Sequence, residues 1–584
     1  MKNRSSAKSP PAPAAPSAKK GAFAAFTAAL NRGKQKLRPA GGDASASVEV
    51  SLERARKPVE IIKELIHFVF AFFLACVVSF HGFFVMAEPA LGVVFLGIAA
   101  LTPAFYFLLG LLAIKIPDIG PSSILAKREK LSATVFITAA CITFAVLLLA
   151  LGAYYPGGAS FDNHRQWAQV QTGVFDDWHP AIHTMIIWLI TRVVNRYAFF
   201  IAVQMFGFSL LVGYMAATLR AWGLKTLWVV LFVLTILTAR STRGIMLFAW
   251  KDTMFSLLAL ALAAQMINIV LSKGAWLDTW GGRIGFAVAL ALTSLVRHNG
   301  MFFTIPLVLL LFILYGKRRS WECTISTLMA LLLVFLVRGP LYRIAHVTRD
   351  PDQGYVESIG FPMTILCSVY RTQPERLDEE TTAFLASIAT EEQWETHFSF
   401  GSYNTIKWAV DTNLSVADLP LTQLLRMTWR TVWAAPTTSL RAALDLTQFV
   451  WDPNVYEYSV DWGRAGDHTG TGELSIEAEA ERADQDRIER LAERYRTYTD
   501  IVQALTPSKR LQSIGACMIA LILAGGYSLR RRRDAAALLL ITPSILYNLG
   551  TMLMLCGSDY RFFQFNVVIT VPLVFVCLAK EEAG

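Results

Sequence analysis

The chain has 584 residues, of which 54% are hydrophobic and 17% are charged. Its mean hydropathy of +0.43 is too high for a soluble protein, and repeated apolar runs of about 20 residues indicate a polytopic helical membrane protein. The net charge of +10 does not indicate a nucleic-acid partner, because much of it lies in the N-terminal tail and in short loops, as the positive-inside rule predicts.

The first 60 residues are predicted to form a disordered, basic tail in the cytosol. Residues 1–50 are rich in Ala, Ser, Pro and Lys and lack the apolar core and cleavage site of a signal peptide. A weak interfacial helix around Phe23, Phe26 and Leu30 is the alternative.

Apolar runs predict an all-α fold with about twelve transmembrane helices, because only helices satisfy the backbone of such segments in lipid. An N-terminal transmembrane module covers residues 61–341, and the last helices lie within residues 511–584. The predicted helices lie near residues 65–87, 90–115, 132–153, 198–219, 224–240, 253–272, 284–297, 299–316, 322–341, 511–529, 535–556 and 562–580.

Basic residues predict the orientation, with both termini in the cytoplasm. Clusters such as Lys317-Arg318-Arg319 and the run from Arg530 to Arg533 then fall in cytosolic loops. The opposite, outer loops contain all the informative polar motifs. These outer loops are residues 153–197, 240–252, 297–299, 342–510 and 557–561.

The first outer loop, residues 153–197, is dense in carboxylates, histidines and tryptophans. Asp162 is the best candidate for a general base, and the alternative is that it only caps a short helix. Asp177 and His179 precede Pro180, which suits the first turn of a helix, so either residue is also explained as a cap. Three carboxylates in this one loop, Asp162, Asp176 and Asp177, nevertheless exceed what capping requires.

Two further non-membrane elements are predicted on the outer side. The apolar stretch 180–190 is short, and a span there would invert every later loop, so we expect a juxtamembrane helix along the surface. Residues 342–510 form an extracytoplasmic, mostly helical region. Helical patterns in this region cover residues 375–395, 420–448 and 474–505, and the middle pattern carries tryptophans suited to the headgroup level.

Charged motifs recur in the other outer loops. Lys251-Asp252 is either a functional pair or an anchor at a helix end. Arg243 stands on a face that the charge rule keeps poor in cations, which indicates an anion partner such as a lipid phosphate. Arg297-His298-Asn299-Gly300 is predicted to form a polar turn, and the alternative is a simple hairpin. Asp559-Tyr560-Arg561 is either a functional pair or an aromatic-belt anchor.

Together these residues resemble the GT-C superfamily of polytopic glycosyltransferases, which use polyprenyl-phosphate-linked sugars, and in particular a bacterial branch of it. The resemblance covers residues 65–340 and 511–580 and is weak over 342–510. The motifs that carry it are Tyr155-Pro156-Gly157, Asp162, Gln166-Trp167, Asp177-Trp178-His179-Pro180, His183-Thr184, Lys251-Asp252, Arg297-His298-Asn299-Gly300 and Asp559-Tyr560-Arg561.

The resemblance implies roles for individual residues. Asp162 would be the catalytic base, and Asp177, His179 and Asp252 would assist by binding the acceptor or a metal. Lys251 departs from the paired acids of the metal-using members, so a divalent metal stays an open alternative. The donor phosphate would be held by Arg297 and Arg561, and less directly by Arg243. The aromatic residues expected to line the sugar or lipid cleft are Trp167, Trp178 and Tyr560.

The expected function is therefore transfer of a sugar from a polyprenyl-phosphate donor to an extracytoplasmic glycan or glycolipid, in a bacterial plasma (inner) membrane. One alternative is a lipid-linked sugar transporter or flippase, which predicts charges buried in mid-helix and broken helices. Another is a non-catalytic protein of envelope assembly.

Overall fold

The computed structural model describes residues 44–86, 90–115, 123–349, 351–410, 416–456, 475–506, 512–531 and 535–581. The chain divides into two compact units, Met1–Ile66 and His67–Gly584. Residues 44–60 are helical, which differs from the disordered tail expected over 1–60; the stretch contains several Ala, Glu and Arg residues, which favour helix. Residues 1–43 lie outside the described residues.

The structure is built almost entirely of helices. Up to residue 344 they are α1 (Ala44–Val85), α2 (Leu91–Lys115), α3 (Ala133–Ala153), α4 (Phe161–Thr172), α5 (Ala181–Thr191), α6 (Tyr197–Ala221), α7 (Thr226–Thr238), α8 (Arg240–Ile245), α9 (Lys251–Leu271), α10 (Trp280–Leu295), α11 (Met301–Tyr315), α12 (Ser320–Leu336) and α13 (Tyr342–Ile344). The later helices are α14 (Pro351–Ser358), α15 (Gly360–Thr372), α16 (Glu379–Ile388), α17 (Glu391–His397), α18 (Asn404–Ala409), α19 (Leu421–Ala434), α20 (Pro436–Trp451), α21 (Ile476–Glu481), α22 (Gln485–Leu505), α23 (Ile514–Arg531), α24 (Ala537–Met552) and α25 (Phe565–Leu578).

Short turns and one pair of strands complete the described structure. Two-residue strands β1 (Ser123–Ile124) and β2 (Lys580–Glu581) pair in parallel. The tight helical turns are Ala275–Asp278, His298–Gly300, Val337–Leu341, Pro374–Arg376 and Tyr560–Phe563.

The prediction of a helical, multi-pass membrane protein is confirmed. Each of the twelve predicted segments coincides with a helix, and the main difference in bounds is the N-terminal extension of α1. By length and composition, 8 described helices are able to cross a membrane, and the shorter apolar helices include α7, α10, α23 and α24. The fifth short apolar helix is α5, where a non-spanning helix was expected.

Burial distinguishes the centre of the bundle from its lipid-type surface. Helix α9 packs against α6, α10, α24 and α25, and 78% of its apolar window is buried, against 11% for the equally apolar α2. A helix that is apolar on all sides belongs in a protein core or in a membrane. Helix α9 therefore forms the core, and α2 presents the apolar surface that lipid requires.

The loops meet in two groups at opposite ends of the helices. At one end, β1 pairs with β2, and the next residue, Leu125, donates to the carbonyl oxygen of Trp222 over 3.1 Å. At the other end, Asp177 donates its backbone N–H to the Thr348 carbonyl oxygen over 2.9 Å. This grouping is the one predicted from the basic residues, and it brings the polar motifs to a single end of the bundle.

The region between α13 and α23 has its own hydrophobic core. Helix α15 packs against α19 and α20, and α20 packs against α23 of the bundle. Helices occupy the three stretches that the sequence predicted here. The buried core residues include Val356, Met363, Leu366, Leu385, Trp394, Tyr403, Ile406, Leu424 and Met427.

Candidate active site at one end of the helical bundle

Two glycines set the path of the chain into α4. Gly157 has a φ of +126°, a conformation that side chains rarely adopt, and a Cβ on Gly158 would lie only 2.3 Å from the Phe248 ring. Ser160 then caps α4 in a capping box with Asn163. Because Ser160 is the cap, the carboxylate of Asp162, in the first turn, is left for other partners.

Asp162 contacts a guanidinium from the opposite end of the sequence. Arg561 Nη1 lies 2.8 Å from Asp162 Oδ2, and His179 Nε2 lies 3.6 Å from Asp162 Oδ1. Burial by itself raises the pKa of Asp162, but His179, Arg561 and Lys251 lower it more, and the resulting pKa is well below its usual range. Asp162 is therefore an ionised carboxylate at neutral pH.

His179 joins Asp162 to a lysine and is itself neutral. Lys251 Nζ lies 2.8 Å from His179 Nδ1, and since an ammonium only donates, Nδ1 accepts and Nε2 carries the hydrogen that faces Asp162. Burial and the charge of Lys251 lower the pKa of His179 from 6.5 to about 4, against the opposing effect of Asp162. The imidazole is uncharged at neutral pH and aligns Asp162 and Lys251.

A second carboxylate is buried behind the first. Asp252 forms a buried ion pair with Arg297, and Arg561 Nε lies 3.9 Å from Asp252 Oδ2. Arg561 Nε also lies 2.7 Å from Asp559 Oδ2. Arg561 therefore bridges three carboxylates. The network at this end of the helices consists of five charged side chains: Asp162, Asp252, Asp559, Arg297 and Arg561.

Aromatic rings hold these guanidinium groups in position. The Arg561 guanidinium lies 5.0 Å from the centroid of Trp250, whose indole N–H donates to Ser160 Oγ over 2.8 Å. The Arg297 guanidinium lies 4.6 Å from the centroid of Phe562. Cation–π contacts of this kind favour a fixed guanidinium in a partly dry site.

Asp177 serves mainly as a helix cap. Its Oδ1 accepts the backbone N–H of Ala181 over 3.0 Å, at the start of α5, and its Oδ2 pairs with Arg349 Nε at 3.2 Å. The contacts of Asp177 thus match the interpretation of this residue as a helix cap. It lies in the same loop as Asp162 and His179 but pairs with a different arginine.

Three of the expected site residues are placed elsewhere. Arg243 donates through Nε to the Tyr495 hydroxyl of α22 over 3.1 Å, and within the described residues it has no ion pair with Asp162 or Asp252. Trp167 is buried edge-on to Tyr197. Tyr560 is also buried, and its hydroxyl donates to the Gln512 carbonyl oxygen. Neither ring lines an open cleft.

The region 342–510 contributes residues for which no role in the site was predicted, although Lys407, with Trp394 and Tyr456, carries the weak resemblance there. Lys407, on α18, pairs with Glu357 at 2.5 Å, and Glu357 acts electrostatically on Lys251. The next residue, Trp408, lies 5.9 Å from Trp178, centroid to centroid. Of the three expected aromatic residues, Trp178 alone is not buried.

The carboxylate of Asp252 is neutralised by nearby cations. Arg297 pairs with it and Arg561 approaches it, so guanidinium groups stand where a metal ligand set would need further carboxylates or imidazoles. Among the described residues, no group of three or more His, Cys, Asp or Glu side chains is arranged to hold a metal ion.

Comparisons with protein-family models, with curated proteins and with solved structures returned no match for this chain.

Proposed function

We propose that the protein is a membrane glycosyltransferase of the GT-C type, which transfers a sugar from a polyprenyl-phosphate donor to a glycan or glycolipid acceptor. The observation that carries the proposal is the contact of Asp162 with Arg561, next to Lys251 and Arg297, at one end of a helical bundle. An ionised carboxylate beside several cations is the minimum set for accepting a proton and stabilising a phosphate leaving group.

In this mechanism the acceptor hydroxyl oxygen attacks C1 of the donor sugar while its proton passes to Asp162. The bond between C1 and the phosphate oxygen breaks, and its electron pair stays on the phosphate. The products are the glycosylated acceptor, polyprenyl phosphate and protonated Asp162, which returns its proton to water. Asp162 is ionised before the acceptor arrives, and a shift of Arg561 from Asp162 toward the donor phosphate would raise the pKa of this carboxylate and strengthen it as a base.

Arg561 links the two charge changes of this reaction. It pairs with Asp162 at 2.8 Å in the structure. When Asp162 takes up the proton, that ion pair loses its negative partner at the moment when negative charge develops on the phosphate. Arg561 then interacts with the phosphate instead, and this electrostatic interaction is stronger in the transition state than before it, as catalysis requires.

Lys251 supplies a further charge for the donor. Among the described residues its hydrogen-bond partner is the neutral imidazole of His179, not a carboxylate. A cation without a neutralising partner in hydrogen-bond contact is well suited to bind a lipid phosphate. Arg297, which forms an ion pair with Asp252, is better placed to orient Asp252 and Arg561 than to bind phosphate alone.

The location proposed for this site is the extracytoplasmic face of a bacterial plasma (inner) membrane, with both termini in the cytoplasm. The basic loops at the other end of the helices support that orientation. The charged groups of the site stand at helix ends, whereas a transporter or flippase would hold them in mid-helix. A non-catalytic assembly protein would not need the buried network.

The test is a mass-spectrometric comparison of envelope glycans and glycolipids in a strain that lacks the gene and carries either wild type or Asp162→Asn. We expect one sugar to vanish in the deletion and to return only with wild type. Asp278→Asn is the matched control, because Asp278 pairs with Arg319 at the opposite end of the bundle. Full restoration by Asp162→Asn would refute the assignment of the base and favour the transporter or assembly protein.

A further inference from the structure

Three aromatic rings from separate parts of the chain meet beside Asp162. Phe161 is the neighbour of Asp162 on α4, Trp178 precedes α5, and Trp408 belongs to α18. The ring centroids of Phe161 and Trp408 are 6.5 Å apart, and those of Trp178 and Trp408 are 5.9 Å apart. Phe161 is 68% exposed and Trp408 is 55% exposed, although large aromatic side chains normally gain from burial.

Polar and charged groups surround this aromatic platform. Lys407 Nζ lies 4.5 Å from the Trp408 ring centroid, and the Trp408 indole N–H donates to Asn404 Oδ1 over 2.9 Å. Arg165 lies 4.9 Å from the Trp178 ring centroid. Flat rings bordered by hydrogen-bonding groups suit a sugar, which has apolar C–H faces and hydroxyls around its edge.

A second exposed aromatic surface of the same chain differs in having aliphatic neighbours. On α19, Trp429 and Trp433 continue an exposed stripe with Leu421 and Leu425, spaced four residues apart as on one helix face. This stripe joins aromatic to aliphatic side chains, as an interfacial membrane helix does. The platform of Phe161, Trp178 and Trp408 is bordered by charges instead, so lipid is the poorer occupant.

We propose that Phe161, Trp178 and Trp408 form an acceptor subsite, which binds the carbohydrate part of a glycan or glycolipid and places its hydroxyl at Asp162. The inference rests on the proposed function, because it assigns one substrate of that same site. The donor lipid phosphate lies on the cationic side, toward Lys251 and Arg561, and the acceptor sugar on the aromatic side. Asp162 stands between the two.

The test measures binding of purified protein in lipid nanodiscs to immobilised oligosaccharides that together contain hexoses, pentoses, amino sugars and uronic acids. We expect wild type to bind at least one sugar class, and Trp408→Ala and Phe161→Ala to bind it about tenfold more weakly or worse. Trp433→Ala is the matched control and binds as wild type does. Absence of binding by wild type, or equal binding by Trp408→Ala, would overturn the subsite.

Two further variants separate this inference from the proposed function. Asp162→Asn retains sugar binding and loses transfer in cells, because the base is not needed for binding. If Trp408→Ala binds and transfers normally while Asp162→Asn is inactive, the subsite is wrong and the transferase stands. If Trp408→Ala loses binding while Asp162→Asn transfers normally, the chain binds sugar at this surface but Asp162 is not the base.

A lipid occupant is tested directly by fluorescence in nanodiscs of dibrominated phosphatidylcholine, which quenches tryptophans that contact the acyl chains. Trp433→Phe removes a quenched tryptophan, whereas Trp408→Phe removes one that bromolipid does not quench. Equal loss of quenching in the two variants would place Trp408 in lipid and refute the acceptor subsite.

Discussion

Arg561 and Asp162 are 399 positions apart in the sequence, and Arg561 Nη1 lies 2.8 Å from Asp162 Oδ2. The contact joins the start of α4 to the turn before α25. Arg561 reaches Asp559 and Asp252 as well, so one guanidinium holds together the carboxylates of three separate segments. A lysine has the charge but not the planar fork that such bridging needs.

Arg561→Gln is therefore expected to lower the transfer rate about 100-fold or more, the usual loss when a group that stabilises transition-state charge is removed. Arg561→Lys should recover only part of it. Sugar incorporation into the product identified by mass spectrometry is the measurement. Arg319→Gln, which breaks an ion pair at the other end of the bundle, is the control. A wild-type rate in Arg561→Gln would exclude Arg561 from the chemistry.

The buried Asp252–Arg297 pair predicts a specific pattern of stability. Arg297→Met leaves the Asp252 charge buried without its main partner, which costs about 3–5 kcal/mol. The double variant Asp252→Asn/Arg297→Met removes both charges and should be more stable than Arg297→Met alone. Thermal unfolding in detergent gives the comparison. Strictly additive effects of the two substitutions would show that the pair is not coupled.

The sequence predicted the helices and most of the site because both depend on local signals. Apolar runs fix the helices. Asp252, Arg297 and Arg561 stand where those runs end, and Asp162 lies in the loop that follows one of them. The placement of Arg243 could not be predicted, since its partner Tyr495 lies 252 positions away on α22. Trp408 was missed for the same reason. Its neighbours come from α4 and from the loop before α5, and no periodicity reports such contacts.

Lys251 is expected to bind the donor phosphate, because its hydrogen-bond partner His179 is neutral. Lys251→Met is expected to raise the KM for the polyprenyl-phosphate donor about tenfold or more, the value of one charge-assisted hydrogen bond. Lys251→Arg should retain part of the affinity. Donor titration with a synthetic carrier of the identified sugar is the measurement, and Lys225→Met at the opposite end is the control. An unchanged donor KM in Lys251→Met would remove the lysine from the phosphate site.

The orientation of the site is testable with two fusions that differ by little more than one helix. Alkaline phosphatase, which is active only outside the cytosol, should be active when fused after Arg349 and inactive when fused after Arg319. Helix α12, Ser320–Leu336, lies between the two positions. The reverse pattern would place the site of Asp162 and Arg561 on the cytosolic side.

The neutral state of His179 predicts a dependence of stability on pH. Its pKa in the folded protein is about 4, against 6.5 for an ordinary histidine, so between these values the unfolded chain binds the proton more readily. Stability therefore falls as pH drops from 6.5 toward 4, with a total loss on the order of 3 kcal/mol. His179→Asn, which keeps an acceptor for Lys251, should show a shallower decline in thermal midpoint across this range. His397→Asn, on the exposed surface of α17, should keep the wild-type slope. A decline as steep in His179→Asn as in wild type would mean that another group carries the pH dependence.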